Sequence, residues 1–294
     1  MPVVSRIEEV RTHIRTMRAE GRSIEFVPTM GALHEGHLSL VKLASRPGGC
    51  VVVSIFVNPT QFGPGEDFEA YPRDLEGDLK LLEREGVDLV FAPPVDEMYP
   101  VGVADTKVDP GEIGRVAEGH YRPGHFVGVA TVCAKLFSIV EPTRVYLGRK
   151  DAQQVAVLSR MIRDLHLPIE VVAAPTIREP DGLAMSSRNV RLSPSERTAA
   201  PVLFRGLQEA KRRFEEGEVS ADRLATAARE VISGHSVVRL QYLDVVDPRT
   251  FRPVERATPE SLVVLAAFVG SVRLIDNVTL GDRSVAGPSE EENP

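Results

Sequence analysis

Apolar positions in the first half of the chain follow two alternating rhythms. Residues 6–20 repeat at helical spacing, residues 23–29 form a short β-branched and aromatic run, and helical spacing resumes over 38–44. A continuous apolar strand at 51–57 follows, then a strand at 87–91 and a mostly apolar helix at 126–140. A strand at 144–147, an amphipathic helix at 151–165 and a strand at 169–173 complete the series. Strands apolar on both faces and separated by helices predict a parallel sheet covered on both sides. After Thr176 the turn Arg178-Glu179-Pro180-Asp181-Gly182 breaks the rhythm. Two helices, 194–216 and 221–233, precede three strands, 240–246, 262–268 and 271–275, which is an α+β order. The expected organisation is an α/β domain over 1–176, a smaller α+β domain over 177–287, and an acidic, disordered tail over 288–294.

Composition fits two domains. At 294 residues the chain exceeds the usual single-domain size, and 43% hydrophobic with 26% charged residues is ordinary for a globular protein. The net charge of −7, without a long lysine or arginine run, argues against a general nucleic-acid binder, which needs a clustered basic face. Cys50 and Cys133 lie in apolar stretches and are expected as core thiols in a reducing compartment. The N-terminus is neither an apolar signal nor a basic presequence, and no run approaches the roughly 18 apolar residues of a spanning helix. A cytoplasmic protein without membrane contact is expected.

The chemistry concentrates in Val27-Pro28-Thr29-Met30-Gly31-Ala32-Leu33-His34-Glu35-Gly36-His37-Leu38, where two imidazoles three residues apart open a helix directly after a strand. Helix starts offer unpaired N–H groups and partial positive charge, so a triphosphate finds donors there without a lysine. Gly31 and Gly36 let a ligand approach the backbone. A single histidine at such a place is most simply a cap or a surface residue; the pair flanked by glycines is not. The spacing Gly31-x4-Gly36 mimics a P-loop, but His37 and Leu38 stand where Lys and Ser/Thr are required. The three-glycine dinucleotide fingerprint is absent as well. Nucleotidylyl transfer, with histidines stabilising charge at the α-phosphate, is the chemistry that remains.

Further clusters stand near predicted strand ends or domain junctions. Asn58-Pro59-Thr60-Gln61 follows the 51–57 strand, and its neutral amides suit hydroxyl and carboxylate recognition, although an Asn-Pro turn alone explains Asn58 equally well. In Gly148-Arg149-Lys150-Asp151-Ala152-Gln153-Gln154 a strand again passes through glycine into a helix; Lys150 can meet a phosphate, Asp151 can serve as N-cap, and Gln154 faces back toward the strand ends. Met185-Ser186-Ser187-Arg188 supplies hydroxyls and a guanidinium at the domain junction, where a hinge with a surface arginine is the plainer alternative. Arg122 can hold a substrate carboxylate or stand exposed in a turn. Glu66, Asp67, Asp74 and Asp78 can lend one or two ligands to a phosphate-held magnesium, with a solvated helix face as the alternative; no metal-ligand set is assigned.

In this order and spacing, segments 28–38, 58–63, 148–154 and 185–189, with Tyr71-Pro72-Arg73 and Arg122-Pro123-Gly124-His125-Phe126, closely resemble the pantoate-β-alanine ligase family over nearly the whole chain. The first segment and Met-Ser-Ser-Arg are also similar to the two signature motifs of class I aminoacyl-tRNA synthetases. The resemblance implies a Rossmann-like nucleotidylyl-transferase domain, a C-terminal lid domain and a homodimer; ATP as substrate with Mg2+ on its phosphates is expected. It implies the reaction ATP + (R)-pantoate + β-alanine giving pantothenate, AMP and diphosphate through pantoyl adenylate. By the same resemblance Met30, Gly31, Ala32, Leu33, His34, Glu35, Gly36 and His37 form the ATP loop, with His37 as the proton donor. Gly148, Arg149, Lys150, Asp151, the Ile177 main chain, Met185, Ser186, Ser187 and Arg188 contact ATP. Gln61 contacts pantoate and β-alanine, and Gln154 contacts pantoate. Relatives often carry Glu or Gln where this chain has Arg149.

Two rivals define the tests. A nucleotidyltransferase that keeps the nucleotide in its product would share the first motif, and a synthetase-like RNA-binding module would need a basic face that this acidic chain lacks.

Overall fold

The computed structural model describes residues 1–102 and 106–282, and the expected tail at 288–294 lies outside the described residues. The chain divides into two compact units, one ending at Ile177 and the other beginning at Arg178.

The first unit opens with β1 (Val3–Val4), α1 (Ile7–Ala19), β2 (Ser23–Thr29), α2 (Glu35–Ala44) and β3 (Gly49–Ile55). Then come α3 (Leu75–Arg84), β4 (Leu89–Phe91), α4 (Val95–Met98), α5 (Glu118–Tyr121) and α6 (His125–Val140). It closes with β5 (Arg144–Gly148), α7 (Ala152–Asp164) and β6 (Glu170–Ala174). The six strands are all parallel, in the order β1-β4-β3-β2-β5-β6. Ile24, Phe26, Val27, Val52, Val53, Val90 and Val145 are wholly buried, as continuous apolar strands require when helices cover both faces. From β2 the chain proceeds outward through β3 and β4, then crosses to β5 on the other side. The order therefore reverses between β2 and β5, and such a switch point opens a crevice beyond the strands' C-terminal ends.

The second unit contains α8 (Pro194–Ala199), α9 (Val202–Glu215) and α10 (Ala221–Ser233), followed by β7 (Val238–Val246), β8 (Leu262–Val269) and β9 (Val272–Thr279). Its strands form an antiparallel meander, and Leu203, Leu207, Leu224 and Ala228 pack on Leu243, Val263, Leu265 and Leu274 in a separate core. This confirms the expected α/β plus α+β architecture. The single helix expected at 194–216 is two, interrupted at Ala200–Pro201, because proline lacks the N–H that would continue the first and clashes with its last turn. The last strand runs to Thr279 instead of 275, since Asp276 and Asn277 pair opposite Leu265 and Val264 despite their polarity.

Candidate active site

The switch point brings the two strand-to-helix passages together. β2 ends at Thr29, level with Ile55 of β3, while β5, paired to β2 through Phe26 and Val145, ends at Gly148. The loop after β2 turns through Gly31 and Ala32, both at positive φ (80° and 50°). Its shape is held by Asp78 of α3, which is 3% exposed and accepts from Ala32 N at 2.9 Å and Leu33 N at 2.7 Å. Burial raises the Asp78 pKa, while those two N–H groups oppose the rise. A Cβ on Gly31 would lie 2.9 Å from the Asp78 carboxylate, so only glycine admits this approach. Asp78 corrects the reading of a solvated helix face. It shares a stripe with Leu75, Leu79 and Leu82, and a charge set within apolar residues at helical spacing is the signal that marks it.

His34 is the N-cap of α2, and its Nδ1 accepts from Gly36 N at 3.1 Å. His37 Nδ1 in turn accepts from His34 N at 3.4 Å, and the two rings lie 4.2 Å apart, tilted by 44°. A backbone N–H can only donate, so both imidazoles carry their proton on Nε2. Burial holds His37 neutral, its pKa pushed down to about 3, with His34 and Lys150 adding to the effect. Burial and then Lys150 lower His34 to about 4, against the opposing pull of Asp151 and Glu35. The N–H groups of Ala32, Leu33, Gly36 and His37 are thus bonded inside the protein. The helix start therefore offers a phosphate two imidazole Nε2–H donors in place of the row of backbone donors that sequence reasoning expected.

After β5, Arg149–Asp151 forms one 3-10 turn leading into α7. Lys150 is partly buried there, its Nζ 4.0 Å from Asp151, and its charge reaches both histidines. Asp151 occupies the N-cap position of α7 but makes no side-chain capping bond. Gln154 is half-buried one residue beyond Gln153, whose buried amide is engaged with Ile113 O, Val116 O and Glu118 N. Arg149 is exposed.

Asn58 caps the 3-10 turn Pro59–Gln61 after β3 and is 1% exposed. Its amide donates to Gly128 O and to Gln61 Oε1 and accepts from Tyr99 and Thr60, so it supports Gln61 from within. Gln61 Nε2 donates to Met30 Sδ at 3.0 Å, which joins this turn to the histidine loop. Arg122 is neither an exposed turn residue nor an open carboxylate receptor: it grips Glu66 with two N–H groups at 2.6 and 2.8 Å and lies 3.5 Å from Glu118. Its third group meets His125 Nε2, and His125 Nδ1 donates to Gln61 O at 2.8 Å. Burial first, then Arg122, lowers His125 to about 4. Tyr99 and His125 are the supporting residues that sequence reasoning missed. Tyr99 carries no local signal, whereas His125 is the second member of a basic pair with Arg122 to which the sequence assigns no role of its own.

In the second unit, Met185 and Ser186 precede a 3-10 turn, Ser187–Arg191, capped by the Ser186 hydroxyl accepting from Arg188 N. Arg178 begins this unit with a two-pronged pair to Asp276 at 2.7 and 3.0 Å while stacked 3.8 Å over Phe204. Ile177 closes the first unit. Among the described residues no group of three His, Cys, Asp or Glu could hold a metal ion. Glu66 is paired with Arg122, Asp78 holds the loop, and Asp74 caps α3.

A parallel sheet whose switch point presents paired imidazoles, a lysine and a supported amide is a frame suited to nucleotide chemistry. Residues 2–279 match the family model described as pantoate-beta-alanine ligase. The chain is 50% identical over 282 residues to a pantothenate synthetase of Thermoanaerobacter sp. (strain X514), covering 96% of this chain and 99% of the relative. It superposes on the crystal structure of pantothenate synthetase from Thermus thermophilus with a TM-score of 0.90 and 47% identity, covering 96% and 100% of the two chains. The pantoate-beta-alanine ligase of Francisella tularensis, complexed with beta-gamma ATP and beta-alanine, matches with a TM-score of 0.80 and 33% identity over 96% and 98%. The chain belongs to the pantoate-β-alanine ligase family. Among the described residues no helix is long and apolar enough to cross a membrane.

Proposed function

We infer that the switch-point cluster carries the ATP-consuming half of the family's ligation of (R)-pantoate to β-alanine. A pantoate carboxylate oxygen attacks the α-phosphorus in line, the bond to the bridging oxygen breaks, and diphosphate leaves with its electron pair. The β-alanine amine then attacks the acyl carbon of the adenylate, expels AMP, and loses a proton as the amide forms. Neither step needs a covalent enzyme nucleophile; both need positioning and positive electrostatics.

In this reading the Nε2–H groups of His34 and His37, with Lys150, meet the phosphates, and His37 is the nearer to the transferring group. Met30 to His37 in sequence, Gly148, Arg149, Asp151 and the Ile177 main chain frame ATP. Met185, Ser186, Ser187 and Arg188 bring further phosphate contacts from the second unit, which begins at Arg178 and acts as a lid. Gln61 and Gln154 hold pantoate, and Gln61 borders the β-alanine site. Asn58 and Arg122, expected from sequence to touch substrate, act instead through Gln61. Mg2+ bound with ATP would be held through phosphate oxygens and would supply neutralisation of their charge beside His34, His37 and Lys150. The working form is a cytoplasmic homodimer that takes small-molecule substrates and no nucleic acid.

The observation that carries this reading is the pair of imidazoles with both Nδ1 atoms engaged by backbone N–H groups, which leaves two fixed donors at the sheet's switch point. Labelled diphosphate should exchange into ATP with pantoate alone, and the full reaction should release AMP. Exchange that requires β-alanine, or release of ADP, would overturn a free adenylate.

A further inference from the structure

The polarity of Gln61 is set by groups outside the substrate pocket. Thr60 N–H, which can only donate, lies 3.3 Å from Asn58 Oδ1, and the Gly128 carbonyl, which can only accept, lies 3.2 Å from Asn58 Nδ2. These two partners fix which end of the Asn58 amide is oxygen. The Tyr99 hydroxyl donates to that oxygen at 2.8 Å, and the Thr60 hydroxyl donates to it at 3.0 Å. The remaining Asn58 N–H points to Gln61 Oε1 at 3.1 Å, so Gln61 turns its own N–H groups away from Asn58 and toward Met30. Tyr99 is 4% exposed, its ring packed near Phe56 and under the Lys135 ammonium, so its hydroxyl is aimed by packing.

We propose that Tyr99 is a positioning residue for the ligation: acting through Asn58, its hydroxyl holds Gln61 as a donor toward the acceptor oxygens of the acid substrate. Pantoate's carboxylate and hydroxyl oxygens accept hydrogen bonds, whereas an ammonium group only donates. A Gln61 amide locked in this sense favours the acid. Without the phenol hydroxyl the Asn58 carbonyl loses its shortest partner; Thr60 N–H and the Gly128 carbonyl still set the sense of its amide, but Asn58, and Gln61 through it, is held less firmly in place. This inference rests on the reading that Gln61 contacts pantoate.

Steady-state kinetics of Tyr99→Phe, with Gln61→Ala as reference, test it. Tyr99→Phe should raise KM for pantoate roughly 2- to 10-fold, the worth of one hydrogen bond, with KM for ATP unchanged and kcat altered less. Thr60→Val, which removes the other hydroxyl on the same oxygen, should give the same split, and the two changes together should be less than multiplicative. An unchanged KM for pantoate in Tyr99→Phe, or an equal rise for pantoate and ATP, would overturn the positioning role if Gln61→Ala still weakens pantoate. A Gln61→Ala enzyme with normal KM for pantoate would overturn the substrate assignment itself, and the inference with it.

Discussion

At the scale of single residues, the histidine pair is where sequence and structure inform each other most. The sequence located both imidazoles at a helix start after a strand, and they stand there, but their tautomers depend on backbone N–H groups that only the folded loop brings to them. If His37 meets a phosphate as proposed, His37→Ala removes an Nε2–H donor to an ionised oxygen, worth about 1.5–3 kcal/mol. The rate of diphosphate exchange should fall roughly 10- to 150-fold, and near-normal exchange would remove His37 from the chemistry. The lowered pKa values also predict a pH dependence of stability. Between the ordinary histidine value of 6.5 and the folded values of about 3 for His37 and about 4 for His34 and His125, the unfolded chain binds more protons than the folded one. Stability contributed by keeping these rings neutral is therefore complete above pH 6.5 and is lost as pH falls toward 4. Urea midpoints measured from pH 7 to 4 should show a shallower decline for His37→Gln than for the natural chain. Parallel declines would mean that His37 is not held neutral.

At the scale of elements, long periodic segments were legible, and short or supporting ones were not. α1, α6, α7 and α10 follow the expected ranges closely because a stripe of apolar residues at helical spacing has one way to be buried. α3 reads from sequence, through its acidic residues, as a solvated helix face or as a source of ligands for a phosphate-held magnesium. Its part in the site depends on Asp78 meeting a loop more than forty positions earlier, a pairing that no local pattern encodes. Both Asp78 oxygens are engaged, so Asp78→Asn supplies one acceptor where two N–H groups need partners. One of Ala32 N and Leu33 N is then left underbonded in a part-buried site, costing about 1–3 kcal/mol. Thermal unfolding should shift down, and KM for ATP should rise as the turn through Gly31 and Ala32 loosens. A variant with the natural melting point and natural KM for ATP would show that the turn holds itself. The approach of α6 to the Asn58 turn is equally demanding. A Cβ on Gly128 would sit 2.3 Å from Thr60 O, a contact no backbone tolerates, so Gly128→Ala should displace the turn and weaken pantoate use more than ATP use.

At the scale of the whole molecule, the change of rhythm after Thr176 is the sequence feature that separates the parallel sheet from the antiparallel meander, and each unit has its own core. What that rhythm does not contain is the polar clasp at the start of the second unit. Arg178 reads as an ordinary turn arginine, yet its guanidinium joins the turn to β9 through Asp276, with side-chain exposures of 12% and 4%. An ion pair this buried is costly to half-remove, because the surviving charge keeps its burial and loses its partner. Asp276→Ala leaves Arg178 in that position, stacked over Phe204, and should destabilise the second unit by about 3–5 kcal/mol. Amide exchange is the measurement that separates the units: protection in α9 and β8 should fall sharply, while β2 and β3 keep theirs. If Met185 to Arg188 contact ATP as proposed, ligation should fail in this variant, because they belong to the loosened unit while His34, His37 and Lys150 do not. Loss of protection in β2 and β3 to the same degree would instead mean that the two cores unfold as one.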